Sequence, residues 1–212
     1  MKDFLRFIAV IFHPLFMPFY GALIALYFVG YINFAIDAKI KSFLLIVLAV
    51  NVVAPAISLG TMISRKIISD IQVSDKKERF IPFLLMLFYY GVTYLLLRYK
   101  LGSSYIPDDL YSMLCGIIIS LSIALVISFR FKISIHTLAA SGVLGAVVAF
   151  SHMYQFNANY GEYFWISILS LVLGVVGTSR IYTGHHSLSE VIVGGVVGFI
   201  INYSMVYYEI FL

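Results

Sequence analysis

The chain has 212 residues, of which 62% are hydrophobic and 11% charged, with a formal net charge of +4. A soluble domain carries roughly a quarter charged residues and needs a polar shell in water, so this composition excludes an ordinary soluble globule and points to lipid as the solvent. The cations are too few and too interrupted by apolar runs for a nucleic-acid-binding face; membrane lipids with anionic headgroups suit them better.

The N-terminal run MKDFLRFIAVIFHPLFMPFYG starts basic and turns apolar, as a signal peptide does. Pro14 and Pro18 interrupt it, and no small-x-small cleavage site follows. This predicts a retained, interfacial or kinked lead into the first span. A span needs about 20 mostly apolar residues to cross ~30 Å of hydrocarbon. Seven stretches approach that length: Leu15–Ala35, Ser42–Ile63, Phe80–Leu97, Leu110–Phe129, Ile135–Tyr154, Phe164–Gly177 and Val191–Phe211. The sixth is short and must borrow from its flanks. Six spans with a re-entrant N-terminus is the competing count. Either way the fold class is all-α, a polytopic transmembrane bundle forming one domain over residues 1–212. The single cysteine, Cys115, lies inside an apolar run and excludes an intrachain disulfide.

With seven spans, the connections Ser64–Arg79, Arg130–Ser134 and Thr178–Ser189 fall on one side of the membrane, together with the N-terminus. These are the three segments richest in ionisable groups. Lys and Arg are more numerous on that side. However, Lys76, Lys77, Arg79, Lys132 and Arg180 sit where an anion would be bound, so charge alone does not set the orientation.

The segment Ser179–Glu190, SRIYTGHHSLSE, carries the densest chemistry. Ionisable groups beside hydrocarbon are costly, which calls for pairing or function. His186 and Glu190 are four residues apart, on one face of a helix. A carboxylate at one imidazole nitrogen fixes the tautomer and frees the other nitrogen to attack. Arg180 supplies a forked cation for phosphate oxygens. In KISIHT, His136 stands where a span begins, a place suited to anions, and a second histidine there can protonate a leaving oxygen. In DKKERFIP, Lys76, Lys77 and Arg79 concentrate charge before the third span. Nucleophile, orienting acid, proton donor and basic cradle together fit phosphoryl transfer through a phosphohistidine.

These segments resemble the motifs of the type 2 phosphatidic acid phosphatase (PAP2) superfamily. Its third motif is Ser-Arg, five residues, His, three residues, Asp. Here Ser179, Arg180 and His186 match, and Glu190 stands for the Asp. The following VIVGGVVGF also resembles that family's last span. Its second motif, Pro-Ser-Gly-His, is represented by Ile133-Ser134-Ile135-His136. Its first motif, a Lys, six residues and Arg-Pro, is matched only in character by DKKERFIP, since its lysine position falls at Gln72. The resemblance covers roughly residues 75–199. It implies an integral membrane lipid phosphatase acting on a lipid phosphate or diphosphate without a metal or other cofactor, in a bacterial inner (cytoplasmic) membrane. His186 would be the nucleophile, Glu190 its orienting partner and His136 the general acid. Arg180, Arg79, Ser134 and either Lys76 or Lys77 would hold phosphate.

Two other readings compete. Asp70 and Asp75 share a polar loop before a span, as in a UbiA-like prenyltransferase that binds Mg²⁺–diphosphate, but that leaves SRIYTGHHSLSE unexplained. A lipid-phosphate binder or transporter is the third reading, without the internal repeat expected of many transporters. His185 reads as a supporting neighbour. His13 and His152 lack a partner motif and read as structural. Tyr203, Tyr207 and Tyr208 read as an interfacial belt.

Overall fold

The computed structural model describes residues 2–28, 38–70, 73, 78–101, 108–154 and 161–211, and every regular element among them is helical. In chain order these are α1 (Lys2–Ile11), α2 (Met17–Phe28), α3 (Ala38–Leu48), α4 (Ala54–Ser64), α5 (Phe80–Leu96), α6 (Asp108–Ser128), α7 (Ile135–Tyr154), α8 (Gly161–Tyr182) and α9 (Leu188–Tyr207). A π-helical turn over Ala49–Val53 joins α3 to α4 without a break. Its cause is Pro55, whose missing N–H and ring clash disrupt the helical ladder one turn back.

Among the described residues, six helices are long and apolar enough to cross a membrane: Ile40–Ser64, Phe80–Tyr99, Asp108–Ser128, Ile135–Tyr154, Tyr163–Tyr182 and Leu188–Tyr207. The protein is therefore an integral membrane helical bundle. The expected first span, Leu15–Ala35, is not among the six. Its apolar helical part, Met17–Leu26, covers only ~15 Å at 1.5 Å per residue, and residues 29–35 lie outside the described residues. The N-terminus begins as a kinked pair of helices, broken at His13 and Pro14. The expected short span Phe164–Gly177 grows to Gly161–Tyr182 and draws Arg180 into its last turn.

The centre of the bundle is α7, 72% buried over its span window against 28% for α8 and α9. It meets α9 along a seam with almost no side chains between the backbones. A Cβ on Gly194 would stand 2.5 Å from the Ser134 carbonyl, and one on Gly198 or Gly145 would strike the Leu138 or Phe199 carbonyl. Small residues let transmembrane helices approach closely in this way. Asn202 enters the same seam between Gly116 and Gly142, with its Nδ2 donating to the Gly198 carbonyl at 2.9 Å.

At one end of the bundle the connections are laced together. Arg79 Nη1 donates to the Ile133 carbonyl (3.0 Å) and its Nε to that of Val73 (3.1 Å). Lys132 Nζ donates to the His185 carbonyl at 2.8 Å, and the Ser134 amide to that of Glu190 at 3.2 Å. The three chemistry-bearing segments thus share one end, as span parity predicts.

Candidate active site

The chain leaves α8 through a Schellman turn. The His185 amide bonds back to the Arg180 carbonyl and the Gly184 amide to that of Ile181, with Gly184 at φ +76°, where a side chain would be strained. This turn delivers His186 directly before Ser187, the N-cap of α9, whose hydroxyl accepts from the Glu190 amide. Ser187 to Glu190 has the spacing of a capping box, in which the carboxylate would reach back to the cap amide. Instead, Glu190 Oε2 meets His186 Nδ1 at 2.6 Å. The carboxylate holds the ring and its tautomer, leaving Nε2 for attack.

His186 is buried, and its side chain is 4% exposed. Burial, with the charges of Arg180, Arg79 and Lys132, holds its pKa down to about 4 against the opposing pull of Glu190. At neutral pH the ring is uncharged and keeps the lone pair a nucleophile needs.

His136 is the second residue of α7. Ser134 caps that helix, its hydroxyl accepting from the Thr137 amide at 3.5 Å. The Ala9 carbonyl in the last turn of α1 lies against the ring of His136. Its Nε2 is buried without a protein partner.

Arg79, His136 and His186 line one cavity of about 110 Å³. Its remaining walls are mainly apolar, with Met17, Phe83, Met86, Met113 and Val143 among them, and it reaches Asn202. Arg180 is buried and outside the lining, but its charge acts on both histidines. The hydroxyl of Ser134 is occupied as a helix cap and does not line the cavity. Lys76 and Lys77 lie outside the described residues, as does Asp75. Asp70 is on the exposed loop beside Ser69. Ile135, at the position of the family's glycine, forms part of the cavity wall. Among the described residues, no three His, Cys, Asp or Glu side chains gather in a group suited to a metal ion.

The cavity also contains a residue read above as structural. His13 lines it with the other two histidines, and its ring lies edge to face on that of His136, with centroids 5.2 Å apart. The only sequence signal was an imidazole beside a proline inside an apolar run. His152, by contrast, pairs with the Tyr203 hydroxyl at 3.0 Å, among the tyrosines of the other end.

The chain matches no family model, no curated protein and no solved structure.

Proposed function

We propose that the protein is a membrane lipid phosphatase of the PAP2 kind that cleaves a lipid phosphate or diphosphate through a phosphohistidine. The carrying observation is the 2.6 Å bond between His186 and Glu190 at the edge of a cavity that also presents His136 and Arg79. The mostly apolar walls behind these groups suit a ligand with a charged head and a hydrocarbon body. The resemblance to that family extends the reading to a bacterial inner membrane.

In this reading Arg79, with the nearby charge of Arg180, holds the phosphoryl oxygens. His186 Nε2 attacks phosphorus, the P–O bond to the lipid breaks, and the departing oxygen takes a proton from Nε2 of His136, which enters the step as an imidazolium charged against the bound phosphate and leaves it neutral. The products of this half are the lipid alcohol and phosphohistidine. A water then attacks phosphorus, giving its proton to His136, and the P–N bond breaks to free phosphate and His186. Glu190 keeps Nδ1 protonated and stabilises the ring as positive charge develops on it.

Two observations weigh against a site built only for binding. A neutral, carboxylate-oriented imidazole is arranged for attack, whereas a binder gains more from a charged one. His136 also offers an unengaged nitrogen in the same cavity, where a leaving oxygen can receive a proton.

The test is phosphate release from phosphatidate and polyprenyl diphosphate by the full-length protein in lipid nanodiscs, with excess chelator. Wild type should release phosphate, and His186→Ala should be slower by about a thousandfold or more. Full turnover by His186→Ala removes the mechanism, as does strict dependence on added Mg²⁺.

A further inference from the structure

We propose that the elbow between α1 and α2 belongs to the active site and that His13 is a positioning residue for His136. The kinetic part of this inference rests on the phosphatase reading; the structural part does not.

The elbow is a tight turn. The His13 amide bonds to the Val10 carbonyl at 3.2 Å, and the Phe16 amide to the His13 carbonyl at 2.9 Å. His13 Nδ1 accepts from the Leu15 amide at 3.3 Å, so in the neutral ring the proton sits on Nε2. The imidazole is thereby held against the ring of His136 at an interplanar angle of 82°. The Ala9 carbonyl, four residues earlier, faces the same ring.

Two points of one short segment therefore restrain one ring. The carbonyl of Ala9 faces the ring, and the ring of His13, packed edge to face on it, opposes rotation of the imidazole plane. His136 Nε2 is left without a protein partner. A terminal ring torsion is broad and two-fold when nothing restrains it, so without this clamp His136 could present either nitrogen.

The clamp is fastened to the rest of the site. Ser179 Oγ donates to the Leu5 carbonyl of α1 at 2.7 Å, and Ser179 directly precedes Arg180 on α8. α1 turns Phe4 and Phe7 outward, 61% and 60% exposed, while Ala9 is buried, so its outer face meets lipid and its inner face meets His136. A leucine at position 13 would fill the same apolar space without burying a polar ring against a second imidazole. Packing alone gives no reason for histidine.

The experiment uses full-length protein in nanodiscs and two variants, His13→Ala and His13→Asn. Asparagine retains an acceptor for the Leu15 amide and so preserves the turn. Two quantities are read: kcat and KM on the lipid phosphate, and the ring ¹⁵N spectrum of histidine-labelled protein, with His136 assigned by His136→Ala. Both variants should lower kcat by about 10- to 100-fold with KM within about threefold, and the His136 signal should change from one tautomer to a mixture. A folded His13→Asn protein with wild-type kcat and an unchanged His136 signal overturns the inference. So does an unfolded His13→Ala beside a wild-type-like His13→Asn, because the turn would then be all that His13 serves. A drop in kcat without the tautomer change overturns the positioning role as well. Turnover surviving in His186→Ala would remove the phosphatase reading instead, and the spectrum alone would then decide the role of His13.

Discussion

The α7–α9 seam and the wall formed by α2, α5 and α6 face each other across the cavity and are built on opposite principles. At the seam, backbone meets backbone. Gly145, Gly194 and Gly198 leave no room for a single added methyl, and Thr137 Oγ1 ties the helices by donating to the Val191 carbonyl at 3.1 Å. The opposite wall is made of long, adaptable side chains such as Met17, Met86 and Met113, which repack at little cost. The stiff side carries His136, His186 and Glu190, while the adaptable side carries most of the apolar lining. Groups that must hold a geometry to a fraction of an ångström sit on the part that cannot yield. Groups that would accommodate a hydrocarbon sit on the part that can.

The largest effect expected from breaking this division lies within the stiff side. Glu190→Gln should lower kcat on the order of 100-fold with little change in KM, measured in the same release assay. Its pH profile adds a sign. The His186 pKa lies below the ordinary value of 6.5, so the neutral imidazole that the proposed attack requires is fully present at pH 7 and is lost only as pH falls through about 4. Glu190 is the group that raises this pKa against burial and the neighbouring cations. The acid limb of Glu190→Gln should therefore move to still lower pH. A move to higher pH would contradict the electrostatic account.

Next comes the seam itself. Gly198→Leu forces the helices apart and should cost about 3 kcal/mol of stability, read as a lower unfolding midpoint in detergent, and should reduce turnover by displacing His136 from His186. Gly195→Leu is the internal control. No atom lies within 4 Å of a Cβ there, so its stability should stay within about 0.5 kcal/mol of wild type. Equal effects of the two substitutions would mean that the seam is not the stiff element.

The smallest effect belongs to the adaptable wall. Met113→Leu conserves volume and should cost less than about 1.5 kcal/mol, with kcat nearly unchanged. What should move is the dependence of KM on the hydrocarbon of the substrate, measured over a chain-length series.

Much of the architecture was legible in the residue order. The span Ile135–Tyr154 was read to the residue, because a long apolar run bounded by polar residues has one reading in lipid. Leu15–Ala35 was read as a span because its composition is apolar. Of that stretch the structure describes α2, Met17–Phe28, and Pro14 explains the break that separates it from α1. At the site, spacing placed His186 and Glu190 on one face, and they bond. The cap role of Ser134 was missed because a serine before a helix and a serine beside an anion look alike in one dimension. His13 was set aside because its partner, His136, is 123 positions away along the chain.

The sequence by itself determined that this chain lives in lipid, that its helices run to and fro, and that the three connections bearing Arg79, His136 and His186 share one end. Those outcomes follow from local composition and from the high cost of placing charge in hydrocarbon. Only the tertiary structure decided that glycines bring α7 and α9 into backbone contact and that His13 of the elbow packs on His136. Each of these depends on which distant surfaces meet, and that is settled by close packing among all the helices at once.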